Sequence, residues 1–308
     1  LPAPDRAAQA KATVEMDRAY DFSRAKTAAD KVNLAKQLLA LGIKPEGEPV
    51  ERFTMLRRAA ELAAVAHDSE VLFAAVEAMD AGFQVDALAA KEKLLSKMAQ
   101  NATDEPAARA LVRSTRTVVQ EAVAADRFDV AANAVAQAQK LCQRPFAKAY
   151  RDEVRTVRAE VDRLRGQYEL IEQTKAALAS SPDDSRANLT LGRLYCFARN
   201  DWRQGLPFLA KGNDPELKRL AELERKLSPD SPENPLALGD AWWDAADARQ
   251  GEDRLLMMRR AGDWYRRALE KPISGLRGLK VQKRMEEITA AQSQTASKSS
   301  PGSSRSKK

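Results

Sequence analysis

The chain is poor in the residues that carry chemistry. It has 308 residues but one histidine, His67, and two cysteines, Cys142 and Cys196. A lone histidine, with no second His and no Cys or acidic cluster beside it, does not anchor a typical zinc site. Two cysteines make neither a disulfide framework nor a zinc knuckle. A bridge between them needs an oxidising compartment; the preferred reading is two buried thiols on separate helices, since free Cys packs as a small hydrophobe. No glycine-rich loop is present to cradle phosphate, and no calcium loop of the EF-hand kind. Serines gather in loops and in the tail, without a base to activate them. No apolar run approaches the ~18 residues that span a bilayer. No segment alternates like a strand. The residues therefore point to no catalytic group, no metal and no cofactor, and to a non-catalytic protein.

What remains is the material of close-packed helices. The hydrophobic share is 44%, much of it alanine, while aromatics are only 6%; small side chains suit helices in close approach better than one thick core. The net charge is +7, and Lys298, Arg305, Lys307 and Lys308 contribute four positive charges in a tail without acids. The body is thus near neutral, which argues against a nucleic-acid interface on it. The tail leaves anionic-polymer or nucleic-acid binding open as an alternative function.

Helical periodicity, punctuated by Pro and Gly, runs through nearly the whole chain. A helix is expected from about Ala28 to Leu41, stopped at Gly42. A hairpin follows at about 50–66 and 69–81, turning at His67-Asp68, where an exposed polar histidine is expected. Further helices are expected at about 85–99 and, as a hairpin turning at Asp126-Arg127, over 107–141. Pro145 opens a long helix reaching Ala179. It carries Ala147, Tyr150, Val154, Val157, Val161, Leu164, Tyr168, Ile171 and Leu178, a 3-4 seam interrupted at Lys175. That spacing suits a left-handed helix–helix contact, either with the chain's own hairpins or between copies of the chain in a homo-oligomer. Ser228 to Pro235 reads as a linker, Pro207 as the late start or kink of a helix, and 276–290 as a final amphipathic helix. The expected organisation is a helical-hairpin region over 1–145, a long connecting helix over 146–180, a second helical region over 181–290 and a disordered basic tail over 291–308.

Two stretches of the second region look alike. One has Leu191-Gly192 followed by Tyr195, then Trp202 and Gly205-Leu206-Pro207-Phe208-Leu209-Ala210; the other has Leu238-Gly239 followed by Trp242, then Ala261-Gly262-Asp263-Trp264-Tyr265. The layout resembles the tetratricopeptide repeat, a helical hairpin that stacks into a solenoid. The expected fold is all-α, with tetratricopeptide-like hairpins stacked as a solenoid around one long central helix. On the helix opening at Pro235, Asp240, Trp243, Asp244 and Asp247 stand at i, i+3, i+4 and i+7 and share a face, while Leu238, Trp242 and Ala245 mark the core side. The tetratricopeptide register puts Asp240, Trp243 and Asp244 at groove-lining positions. Three carboxylates and an indole suit a basic peptide held by charge pairing and cation–π contact; a solvated acidic face with Trp243 packed under a neighbour is the competing reading. Trp202, Trp264, Tyr265 and Tyr195 form a second aromatic group, suited to filling helix interfaces or to stacking on sugars.

Several stretches taken in order carry a wider resemblance. They include Ala29 to Leu39, Phe53 to Ala63, Ala74 to Met79, Phe83 to Asp86, Ala187 to Phe197, Asp201 to Gly212 and Leu238 to Asp244. Through them residues 1–290 resemble an uncharacterised group of exported, helical-repeat proteins of planctomycete bacteria. The resemblance implies a helical fold and export to the periplasm or beyond, with which a start at Leu1, as after a cleaved signal peptide, agrees. It implies no catalytic residue. The function expected is a protein-interaction or structural scaffold for a protein or peptide partner; an accessory helical domain of an enzyme assembly is the other alternative.

Overall fold

The computed structural model describes residues 1–227 and 234–299, with side chains to 293 in the last helix. The described residues are helices and turns without strands, apart from an isolated bridge between Pro2 and Gln84. They divide into two compact units at Tyr168 and Glu169.

In the first unit, α1 (Arg6–Ala19), α2 (Ala28–Gly42), α3 (Pro49–Ala66), α4 (Ser69–Gly82), α5 (Ala87–Asn101), α6 (Glu105–Ala124) and α7 (Phe128–Leu141) follow one another through short turns. Helix α1 has no counterpart in the sequence expectations; it packs on α3 and buries Ala12 and Met16. Aspartates start many of the helices. Asp5, Asp68, Asp86 and Asp104 each accept a backbone N–H three residues on, satisfying a donor the helix leaves orphaned. Thr27 and Asp30 do this reciprocally at the head of α2. The core is as alanine-rich as the composition implies: Ala59, Ala63, Ala64, Ala75, Ala108, Ala122, Ala131, Ala134 and Ala138 are all buried among Leu72, Val76, Leu95, Leu111, Val118 and Val135.

His67 departs from the expected exposed turn residue. It ends α3 in the left-handed region (φ 60°) and is half-buried, and its Nε2–H donates to the Met98 carbonyl at 2.9 Å. The single histidine straps the α3–α4 turn to α5. Lys91 is the unit's buried cation; it pairs with Glu121 at 2.8 Å and lies 5.1 Å from the centre of the Phe73 ring.

A turn of 3₁₀ helix over Pro145–Tyr150 precedes α8 (Arg151–Ser180), so the long helix begins six residues later than the proline alone predicts. At 30 residues its length is about 45 Å. The division between the units falls within α8. Val154 and Val161 are buried with the first unit's core, and Ile171 and Leu178 with Leu191 and Tyr195 of the second. Lys175 does not interrupt the seam. Thr174 takes that place, buried, its hydroxyl donating to the Leu170 carbonyl at 2.6 Å.

The second unit continues with α9 (Ser185–Arg193), α10 (Trp202–Leu209), α11 (Pro215–Lys226), α12 (Asn234–Asp247), α13 (Gly251–Ala268) and α14 (Gly275–Ser299). Helix α11 is a further element beyond the expected ones, capped by Asp214. Pro207 lies inside α10, which is only 8 residues long. Helix α14 runs through 291–299, where a disordered tail is expected; Arg305, Lys307 and Lys308, and most of the 228–235 linker, lie outside the described residues. The core contains Leu209, Leu217, Leu220, Leu238, Trp242, Met257, Ala261 and Tyr265.

The two Leu-Gly pairs mark close helix approaches. A Cβ on Gly192 would stand 2.7 Å from the Leu209 backbone nitrogen, and one on Gly239 would stand 2.6 Å from the Tyr265 ring. Neither neighbour can step aside, one being backbone and the other fully buried. Gly192→Leu and Gly239→Leu are each expected to cost about 1–3 kcal/mol of stability through overpacking; unchanged urea midpoints in both would show that the helices separate freely.

Candidate functional site

The acidic face of α12 is where the periodicity puts it, but the chain itself occupies it. Trp243 is buried, with 4% of its surface exposed. The guanidinium of Arg284, on α14, lies 5.0 Å from the centre of its ring. The same guanidinium donates to Asp240, to Asp244 at 3.0 Å and to the Tyr265 hydroxyl at 2.6 Å. Lys280 of α14 adds a bond to Asp240 at 3.3 Å, and Asp247 accepts from Arg254 at 3.3 Å. Leu238, Trp242 and Ala245 are buried as expected. The chemistry read from the sequence, an arginine held by carboxylates over an indole, is present, but its source is α14; with Trp243 buried and Asp240 paired to α14, the exposed Asp244 and Asp247 have no open indole beside them. The sequence missed this because the pairing joins positions about 40 residues apart.

Tyr265 sits at the centre of that arrangement. Burial, then the bond its hydroxyl donates to Asp240 at 2.8 Å, pushes its phenol well above the ordinary tyrosine range. It donates to Asp240 while accepting from Arg284 of α14. Removing the cation with Arg284→Ala leaves Asp240 and Asp244 without their shared partner. The expected cost is about 1.5–3 kcal/mol, the range for hydrogen bonds to charged groups. A double-mutant cycle with Asp240→Asn measures it, and additive losses would show that the two residues do not interact.

A second constellation lies on the α10 and α13 side of the same unit; the sequence marks its indoles Trp202 and Trp264 but not its charged members Glu224 and Arg260. Its base is Glu224 of α11, whose side chain is only 3% exposed. One carboxylate oxygen accepts from Trp242 Nε1 at 2.8 Å, from Trp264 Nε1 at 3.1 Å and from Arg260 Nε at 3.2 Å; the other oxygen takes a second bond from Arg260. The Arg260 guanidinium is packed between two rings, 4.0 Å from the centre of Trp202 and 4.9 Å from that of Trp264. A largely buried arginine with a bidentate carboxylate and aromatic faces is rigid, because its planar fork has one way to satisfy every partner.

Local geometry explains how Trp202 reaches it. The end of α9 widens into a π-helical turn over Leu194–Ala198, and Asn200 then adopts a left-handed conformation (φ 55°). Asp201 caps α10 by accepting the Gln204 N–H at 3.0 Å, which projects Trp202 from the first position of the helix. Its indole N–H donates to Asn200 Oδ1 at 2.8 Å. On α13, Arg260, Asp263, Trp264 and Arg267 stand at i, i+3, i+4 and i+7, so one face delivers them all. Together these residues and Arg203 line an open cleft of about 540 Å³. A smaller hollow of about 380 Å³ on the other side of Arg260 and Asp263 adds Arg259 and Arg266. The spacing on α13 was the signal available in the sequence. It reads as a solvated charged face until the fold sets Trp202 and Glu224 against it.

The aromatic group of Trp202, Trp264, Tyr265 and Tyr195 fills interfaces in the main: all but Trp202 are buried. In the first unit, a groove of about 790 Å³ has Ala60, Val76, Met79 and Leu94 along its floor and Arg57, Lys93 and Lys97 among its lining residues. Both cysteines are buried and free, and burial is the leading cause that raises each thiol above the ordinary range, Cys196 strongly. They stay protonated and are poor nucleophiles. Among the described residues no group of His, Cys, Asp and Glu is arranged to hold a metal ion, and no helix is long and apolar enough to cross a membrane. Comparison of the chain with protein-family models, with curated proteins and with solved structures gives no match.

Proposed function

We propose that this chain is a non-catalytic scaffold that binds a partner protein, built from tetratricopeptide-like helical hairpins that stack as a solenoid. The observation that carries the reading is the cleft between α10 and α13. Its floor is clamped by Glu224, Arg260 and two indoles, while its rim presents the exposed side chains of Arg203 and Arg267. A rigid base under free charged ends suits recognition, because little side-chain freedom is lost on binding. The recurring Leu-Gly pairs, each set against the following helix, support the repeat reading. The resemblance to exported planctomycete helical-repeat proteins supports placing the scaffold outside the cytoplasm; fractionation of cells producing the native gene tests that placement.

The test of function is capture from an envelope extract on the immobilised full chain, with quantitative mass spectrometry against an all-helical bait of equal charge. Enrichment of a defined protein that re-binds in purified form, with measurable affinity, is the expected result. Recovery of the same proteins on both baits would overturn the scaffold reading.

A further inference from the structure

We infer that the cleft between α10 and α13 binds an acidic peptide segment, whose carboxylates pair with Arg203 and Arg267. This deepens the scaffold reading and rests on it. The first argument is charge. Arg203 and Arg267 are exposed and make no ion pair among the described residues, whereas Arg260 beneath them is already matched by Glu224. The adjoining hollow extends the basic character through Arg259 and Arg266, the second of them held by Asp263. A carboxylate fits a guanidinium fork through two parallel bonds.

The second argument separates a peptide from other anions. The indoles are not free platforms: Trp202 carries Arg260 against its ring, and Trp264 is buried with Arg260 and Arg267 at 4.9 and 5.1 Å from its centre. A nucleobase or a sugar ring meets a buried Trp264 and a Trp202 already stacked on by one guanidinium, although stacking is what single-stranded nucleic acid relies on. The cleft also holds acceptors among its donors. Asn200, Asp201 and Asp263 line it together with the arginines. A peptide carries its carboxylates at spaced positions, with uncharged backbone between them to pass Asp201 and Asp263, whereas every unit of a phosphodiester chain is charged.

The experiment uses the full chain and fluorescence anisotropy at physiological salt. Four labelled probes are compared: a peptide of alternating Glu and Ser, the same peptide with Gln for Glu, an oligothymidylate and a sulfated glycan, the peptides being ~10 residues long so as to span the cleft and the hollow beside it. Binding of the Glu peptide but not the Gln peptide is expected. Arg203→Glu with Arg267→Glu should weaken it about 10-fold or more, the scale set by lost charge-assisted pairs. Arg18→Glu with Lys36→Glu, the same charge change on exposed residues of the other unit, should leave it nearly unchanged. Arg203→Gln with Arg267→Gln decides the matter should charge reversal perturb folding by circular dichroism. Equal weakening by the cleft pair and the distant pair would overturn the site, as would arginine-dependent binding of the oligonucleotide or the glycan in preference to the peptide. If envelope capture succeeds while the Glu peptide does not bind, the acidic-peptide site is refuted and the scaffold reading stands.

Discussion

Replacement of Glu224 by alanine is expected to lower the stability of the C-terminal unit by about 3–5 kcal/mol, the cost of stripping one partner from a buried ion pair. Four bonds converge on this carboxylate, two from indoles and two from Arg260, whose own side chain is 12% exposed. Alanine leaves the Arg260 charge uncompensated, with two indole N–H donors unsatisfied and a void where the carboxylate stood. Glutamine in its place keeps the size and one acceptor but not the charge, so Glu224→Gln should fall between the alanine variant and the native protein. Paired apolar replacement, Glu224→Leu with Arg260→Met, should recover much of the loss, because desolvating two charges offsets most of what their attraction returns. The measurement is direct. All four tryptophans, Trp202, Trp242, Trp243 and Trp264, lie in this unit, so urea unfolding followed by their fluorescence reports on it alone. A loss below about 1 kcal/mol, the worth of an ordinary hydrogen bond, would mean that the cluster does not hold the unit together.

The second large effect is expected on the stretch of the long helix that belongs to the first unit. Val161 of α8 is fully buried with the first unit's alanine-rich core. Val161→Asp places a carboxylate in that apolar core, at an expected cost of about 3 kcal/mol or more. Val157→Asp, on the same seam but half-buried, should cost about 1 kcal/mol, since its carboxylate keeps contact with water. Thermal unfolding followed by circular dichroism separates the two. Similar losses would show that the seam lies equally buried along its length. A loss of molecular mass in light scattering with either variant would instead assign the seam to an interface between copies.

Much of the fold is legible without coordinates. The bounds of α3 and α4, the turn between α6 and α7 and the buried positions Leu238, Trp242 and Ala245 all follow from apolar spacing with Gly, Pro and Asp as punctuation. These signals are local: a helix carries its period within about four residues and its cap within three. Gly192 and Gly239 were legible for the same reason, as small residues repeated at one place in two similar stretches. What failed locally did so where local signals compete. Helix α1 is only weakly amphipathic, burying just Ala12 and Met16, and Pro145 opens a 3₁₀ turn before the α-helix begins.

The sequence by itself determined that this protein is helical, roughly where α2 to α7 begin and end, and which face of α12 is acidic. Only the tertiary structure decided what that face is for. Asp240 and Asp244 lie about 40 residues from Arg284, and Glu224 lies 36 residues from Arg260. No periodicity of a single helix encodes which distant cation meets which carboxylate. That choice follows from how the helices pack, through close approach at glycine and the burial of indoles between them. Packing turned the predicted groove into a contact with α14 and gathered Arg203, Arg260 and Arg267 around Trp202.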